Sequence, residues 1–197
     1  MSVEPYSVVL ISGKQGSGKS TLADGLMVEL QELGCHVERL KFADPLYAFH
    51  NAIRMILHED GMDDIPGVDG PLLQVLGTEW GRKTRGEDFW VRYAQKRVKT
   101  LFQKNVEMGI VRAQTIFLFD DCRFPNELTA FENAISIRLE AAEDVRKERA
   151  AKWRPNTTHP SEIALDHANF DLVLPTEQKS CEETLARALE YISRRIQ

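Results

Sequence analysis

The sequence predicts an α/β protein in three layers, with a central parallel sheet covered by helices on both faces. Two observations carry this. Short apolar segments alternate along the chain with longer segments of helical pattern, the order that gives parallel strands joined by crossover helices. The segments YSVVLIS and TIFLF also read as buried strands rather than half-exposed ones. A length of 197 residues suffices for one compact domain with a full core and a small inserted lid.

Residues 6–12 form the first strand, ended by Gly13. Residues 20–33 read as a helix stopped at Gly34, since glycine tolerates the left-handed cap. The alternating V-E-R-L-K-F makes 36–42 a second strand. Asp44 followed by Pro45 opens a helix to about residue 58, because Asp caps and Pro suits the first turn. The acidic, glycine-rich EDGMDDIPGVDG at 59–70 is a surface loop. Residues 71–80 and 87–104 read as helices joined by the basic turn GRKTRG. Residues 115–119 are a short strand ending in two acids, Asp120 and Asp121. A helix at 125–132, a strand at 135–139 and a charged helix at 140–152 follow. WRPNTTHP at 153–160 is a loop, 161–166 one or two helical turns capped by Ser161, 171–174 the last strand and 180–196 an amphipathic closing helix. There is no internal repeat.

A net charge of −5 argues against general nucleic-acid binding, which leaves a basic footprint. The longest apolar runs, SVVLI and TIFLF, are too short to span a bilayer. MSVEPYS lacks the basic segment and long apolar stretch of a secretory signal. Cys35, Cys122 and Cys181 are an odd set without close spacing, which fits reduced thiols in the cytoplasm and no metal site.

The chemistry is concentrated at residues 13–20, GKQGSGKS, between the first strand and the first helix. The segment fits G-x-x-x-x-G-K-[ST] at every fixed position. Such a loop cradles a phosphate chain in its backbone N–H groups, sends its lysine to the β- and γ-phosphates and holds Mg²⁺ on its hydroxyl. Lys19 and Ser20 fill those roles. A dinucleotide loop is disfavoured because Thr21 stands at the third glycine position. No guanine-reading N-K-x-D stretch is present. Either Asp120 or Asp121 is placed to approach Mg²⁺, the plainer role being to cap the next turn.

Phosphoryl transfer asks for positioning, charge neutralisation and exclusion of water, so arginines near strand ends are the next candidates. Three groups qualify: Arg82, Lys83 and Arg85; Arg123; and Arg146, Arg149 and Arg154. Arg123 follows a strand end, where ligands of such sheets lie. Arg146 and Arg149 stand i,i+3 among glutamates and read equally as a solvated helix face. Asp44 also follows a strand end. Trp80, Trp90, Phe42 and Tyr47 are apolar anchors, one or two of which suit stacking on a base. His159 and Glu162 are polar residues at a loop-to-helix corner.

Taken in order, G-K-Q-G-S-G-K-S-T, K-F-A-D-P-L, L-L-Q-V-L-G-T-E-W-G-R, D-F-W, D-D-C-R-F-P-N-E and H-P-S-E-I-A-L-D resemble the deoxynucleoside monophosphate kinases of bacteriophages, from about residue 8 to 175. The resemblance implies a P-loop kinase three-layer fold with a mobile helical lid, in a single domain over residues 1–197. The acceptor-binding insertion falls at about 45–105 and the lid at about 140–160. It implies a Mg²⁺-dependent cytoplasmic enzyme that passes the γ-phosphate of ATP to a deoxynucleoside monophosphate. Gly13, Gly16, Ser17, Gly18, Lys19, Ser20 and Thr21 would hold ATP. Lys19, Asp44, Arg123, Arg146 and Arg149 would be catalytic. Asp44, Arg82, Lys83, Trp90, Asp121, Arg123 and Glu162 would meet the acceptor, and Ser20 and Asp121 the metal. Ser20 stands where many phage relatives carry Asp.

Two rival functions stand beside this one: a P-loop kinase for another phosphorylated acceptor, such as dephospho-coenzyme A or phosphomevalonate, and a nucleotide-dependent switch. Helices 71–104 are apolar enough to offer a homodimer face, and core packing explains them equally well. No residue names the base.

Overall fold

A computed structural model describes residues 5–62, 67–110, 114–150, 153, 160–177 and 179–196. Strands β1 (Tyr6–Gly13), β2 (His36–Leu40), β3 (Thr115–Cys122), β4 (Ile135–Glu140) and β5 (Leu172–Pro175) form one sheet in the order β2-β3-β1-β4-β5. Every pairing is parallel, with Tyr6 opposite Thr115 and Val9 opposite Ile135. The central strand β1 is flanked by β3 and β4, so the chain leaves β1 on both sides of the sheet. Ligands of open parallel sheets bind at such a switch point, beyond the carboxyl ends of the strands.

The strands are apolar on both faces because both faces are covered. One face carries Val9, Ile11, Val37, Ile116, Leu118 and Ile137, which pack against α1 (Lys19–Glu32) and the closing helix α8 (Cys181–Arg195). The other carries Val8, Leu10, Phe117 and Phe119 against Val91, Ala94 and Val98 of α4 (Phe89–Glu107). Helix α8 is capped as its sequence suggests: the Ser180 hydroxyl accepts from Glu183 N–H and the Glu183 carboxylate from Ser180 N–H, a reciprocal capping box. No helix among the described residues is long and apolar enough to cross a membrane.

Several boundaries move, each for a physical reason. Helix α2 (Asp44–Glu59) is capped at Ala43, not Asp44; the Asp44 carboxylate turns back to accept from Lys41 N–H. After α3 (Gly70–Gln74) the expected basic turn is instead the end of a ten-residue π-helix, Val75–Thr84. Its widened coil is held by Trp90, whose indole donates to Gly77 O and fills the space where Gly81 would carry a Cβ. The helix predicted over 125–132 is the single turn α5 (Pro125–Leu128), which ends at Thr129. The charged helix shortens to α6 (Glu143–Arg149), and α7 (Pro160–Ile163) is one turn. Strand β3 runs on through both acids to Cys122. Its pairing with β1 is irregular at Asp120 and Asp121, between the Leu10–Phe119 and Ser12–Cys122 pairs.

Candidate active site

The loop after β1 returns at once into α1, and its geometry depends on glycine. Gly16 and Gly18 lie at φ 78° and 96°, a region that L side chains rarely adopt. At Gly16 the space is closed as well, because a Cβ would collide with the Arg146 carbonyl of α6. Gly16→Ala is thus expected to lower stability by about 1–3 kcal/mol and to weaken nucleotide binding with it. A urea unfolding midpoint equal to that of the parent would refute the contact.

Lys19 opens α1 and turns back over the loop, its ammonium 2.6 Å from Gly13 O and 3.0 Å from Lys14 O. Burial, reinforced by Arg123, pulls its pKa down to about 8. Ser20 and Thr21 follow on the exposed side of the same turn.

Two cavities flank the loop. One, of about 770 Å³, is lined by residues 16–22 together with Arg149, Thr176, Lys179 and Cys181. The other, of about 740 Å³, is lined by Tyr47, Gln74, Arg82, Trp90, Arg123 and Glu162, among others. A smaller space of about 410 Å³ lies where the loop meets the ends of β2 and β3; Lys19, Ser20, Asp120, Asp121, Arg82 and Arg123 line it. Each flanking volume is of the size that holds a small ligand.

The candidates sort unevenly among these spaces. Arg123 lies beside the phosphate loop, paired with Glu162 and 3.4 Å from Ser161 O. Arg82 lies 3.9 Å above the Phe124 ring and pairs with Glu127 at 2.9 Å. Trp90 is buried, and its ring forms one wall. Arg146 is buried too, donating to Gln15 O and Ala141 O at 3.1 Å each, with its guanidinium over Trp153. Arg149 is turned to the other cavity, where it donates to Thr176 Oγ1 and O at 3.0 and 2.7 Å. So the two arginines of α6 serve different sides of the loop. Arg154 and His159 lie outside the described residues.

Two candidates are not brought to this site. Lys83 pairs with Glu79 on the exposed flank of the π-helix, because adjacent residues of a helix point in different directions. Asp44 is exposed and lines a different hollow, beside Lys41, Tyr93 and Arg97.

The acids need a correction as well. Asp121, expected on the metal, accepts from Phe42 N–H and Ala43 N–H, both at 3.0 Å, and so ties β3 to the turn before α2. Burial, then the nearby Glu127 charge, pushes its pKa up to about 7. Asp120 faces α1. One of its oxygens pairs with Arg39, which also reaches Asp24, and the other, Oδ1, is buried with no partner. Asp120 also acts on Lys19 through its charge. It is thus the acid with an acceptor left over beside Ser20. No cluster of three or more His, Cys, Asp or Glu able to hold a metal exists among the described residues.

Glu127 escaped sequence reasoning altogether. It is buried, and it accepts from Arg123 N–H at 2.8 Å, Phe124 N–H at 3.1 Å and Arg82 at 2.9 Å. One side chain therefore orders both arginines of the second cavity. The local signal was an acid at the third position after Phe124, within reach of the N-terminal amides of a short helix.

No protein-family model and no curated protein matches the chain. Among solved structures, TT1252 from Thermus thermophilus matches with a TM-score of 0.53 at 20% identity, over 98% of each chain. Shikimate kinase from Acinetobacter baumannii, solved in complex with shikimate, matches with a TM-score of 0.50 at 13% identity, over 96% of this chain and 94% of its own. What these likenesses and the five-stranded parallel sheet together show is the fold, a three-layer α/β fold like that of the shikimate kinase.

Proposed function

We propose that the protein is a kinase that transfers the γ-phosphate of ATP to a deoxynucleoside monophosphate. The observation that carries this is the pair of cavities flanking the loop, with a smaller space that shares Lys19 and Ser20 with one of them and Arg123 with the other. A hydrolytic switch needs one nucleotide site and a water. A phosphotransferase needs two sites that share one phosphate position, and two cavities on either side of one phosphate loop support that reading. The ordered segments shared with phage kinases, F-A-D-P-L, L-G-T-E-W-G-R and D-C-R-F-P-N-E, support the nucleotide acceptor. In this reading residues 1–197 act as one domain. Within it, residues from about 45 to 105 would build the acceptor side, and the lid expected at about 140–160 falls partly outside the described residues.

ATP would lie along the cavity beside α8, with its phosphates over the loop. The acceptor monophosphate would enter the cavity walled by Trp90 and Tyr47. Its phosphate oxygen attacks the γ-phosphorus; a new P–O bond forms, the bond to the ADP oxygen breaks, and ADP leaves with the charge. The acceptor oxygen is already anionic near neutral pH, so no general base is required. Lys19 stabilises charge on the transferring group, while Arg82 and Arg123 orient the acceptor phosphate. Preorganised cations of this kind act chiefly on the transition state. The donor set also fits a magnesium ion: an exposed Ser20 hydroxyl at the start of α1, with the unpartnered Asp120 Oδ1 close behind. Such an ion would neutralise charge on the β- and γ-phosphates.

The direct test is a coupled assay with ATP, Mg²⁺ and a panel of deoxy- and ribonucleoside monophosphates, with dephospho-coenzyme A and phosphomevalonate as controls. Stoichiometric diphosphate from at least one deoxynucleotide supports the proposal and names the base. Activity with a control alone would assign the acceptor cavity to another phosphorylated molecule. ADP release that no acceptor accelerates would leave a switch.

Lys19 supplies a second expected result. With a free pKa of about 8, about half of the side chains are neutral at pH 8, and bound phosphate restores the charge. ATP binding at pH 8 should take up about half a proton, falling towards zero at pH 6.5. Calorimetry in two buffers of different ionisation enthalpy measures this directly.

A further inference from the structure

Glu162 is an odd residue to find in an anion site. Its Oε2 accepts from the Gln15 N–H of the phosphate loop at 3.0 Å, and its Oε1 accepts from Arg123. The loop amides and a nearby arginine are donors that such a site turns towards phosphate oxygens. Here a carboxylate of the protein holds one of each. The side chain is largely buried and lines the acceptor cavity, so it is not a surface charge that happens to lie near a cation.

We propose that Glu162 is a resident anion that competes with phosphate where the loop meets the adjoining cavity: it holds Arg123 and the Gln15 amide until a phosphate group displaces it. This rests on the reading that phosphates occupy the loop and the adjoining cavity. A carboxylate carries one negative charge, whereas a phosphate monoester near neutral pH carries close to two, with three strong acceptor oxygens. A phosphate can therefore take both donors from Glu162. A water or a sugar hydroxyl is neutral and cannot. The segment need not leave for the exchange to occur. Asp166, a few residues on, remains tied to Lys14 at 2.7 Å and to Arg138 at 3.1 Å, so rotation of the Glu162 side chain is enough.

The test is a calorimetric titration of inorganic tripolyphosphate into the parent protein, Glu162→Gln and Glu162→Asp. Removing the competing charge should tighten tripolyphosphate binding to Glu162→Gln by about five- to tenfold, the effect of losing one charge-assisted contact from the free state. Glu162→Asp keeps the charge on a shorter arm and should fall between the two; if Glu162→Gln does not fold, the aspartate variant carries the comparison. Unchanged or weaker tripolyphosphate binding in the folded variants would overturn the proposal and make Glu162 a support for Arg123. Because the titration uses no acceptor, its outcome is independent of which molecule the coupled assay identifies.

Discussion

Replacing Lys19 by alanine is expected to lower acceptor-dependent phosphoryl transfer by about a thousandfold, the scale of losing one preorganised charge from a phosphoryl or acyl transition state. The fold should survive the change. In the native state the ammonium rests on two loop carbonyls, and its pKa lies near 8, below the value of about 10.4 of an unfolded chain. The folded state thus binds this proton less well than the unfolded one. The resulting disadvantage is fully present below pH 8 and is relieved as pH rises from there towards 10.4. At pH 7 the alanine variant lacks that disadvantage along with the two hydrogen bonds, so its thermal midpoint should stay close to that of the parent. Full transfer activity in a folded Lys19→Ala protein would remove the loop from the reaction.

Glu127→Ala should have the largest effect on stability, a loss of about 3–5 kcal/mol, because it strips the partner from a largely buried guanidinium and from two backbone amides together. In a chain of this size that corresponds to a fall of roughly 10 °C or more in Tm. Glu127 is held where burial raises its pKa while Arg123 N–H, Arg82 and Phe124 N–H oppose the rise. Its carboxylate and those donors form one unit rather than separable pairs. Assayed below its own unfolding temperature, the variant should also show a raised KM for the acceptor, because Arg82 and the Arg123 backbone lose their common support. A Glu127→Ala protein as stable as the parent would show that these contacts are not formed in solution.

The parts of the site legible in the sequence are those whose chemistry is contiguous. The phosphate loop is a single run from Gly13 to Ser20, flanked by the strand and helix it needs, and those appear where the pattern places them. What was not legible depends on partners far apart in the chain. Arg82 and Glu127 are 45 residues apart, and nothing local marks them as a pair. Arg123 could be singled out from its place after a strand, but not its engagement by Glu162. The two acids show how a small boundary error changes a role. With β3 ending at residue 119 both follow the strand as equivalent metal candidates. With β3 running to Cys122 both lie within the strand, beside the irregularity in its pairing with β1, and each has its own partners: Arg39 for Asp120, and Phe42 N–H and Ala43 N–H for Asp121. The contact of the Asp44 carboxylate with Lys41 N–H in the turn before α2 was likewise not legible from its place after a strand.

The strand order has a consequence for how the chain comes into being. The central strand, apolar at position after position, finds its first partner only when Tyr6 meets Thr115, and its second only when Val9 meets Ile135. During synthesis more than half of the polypeptide must therefore emerge before the segment SVVLI can be shielded on either edge. Pairings at such sequence separation are slow to close and leave unpaired edges open to other chains. Nascent and truncated forms are accordingly the aggregation-prone states of this protein, and the residues at the end of β3 that build its chemistry are also among those that complete its protection.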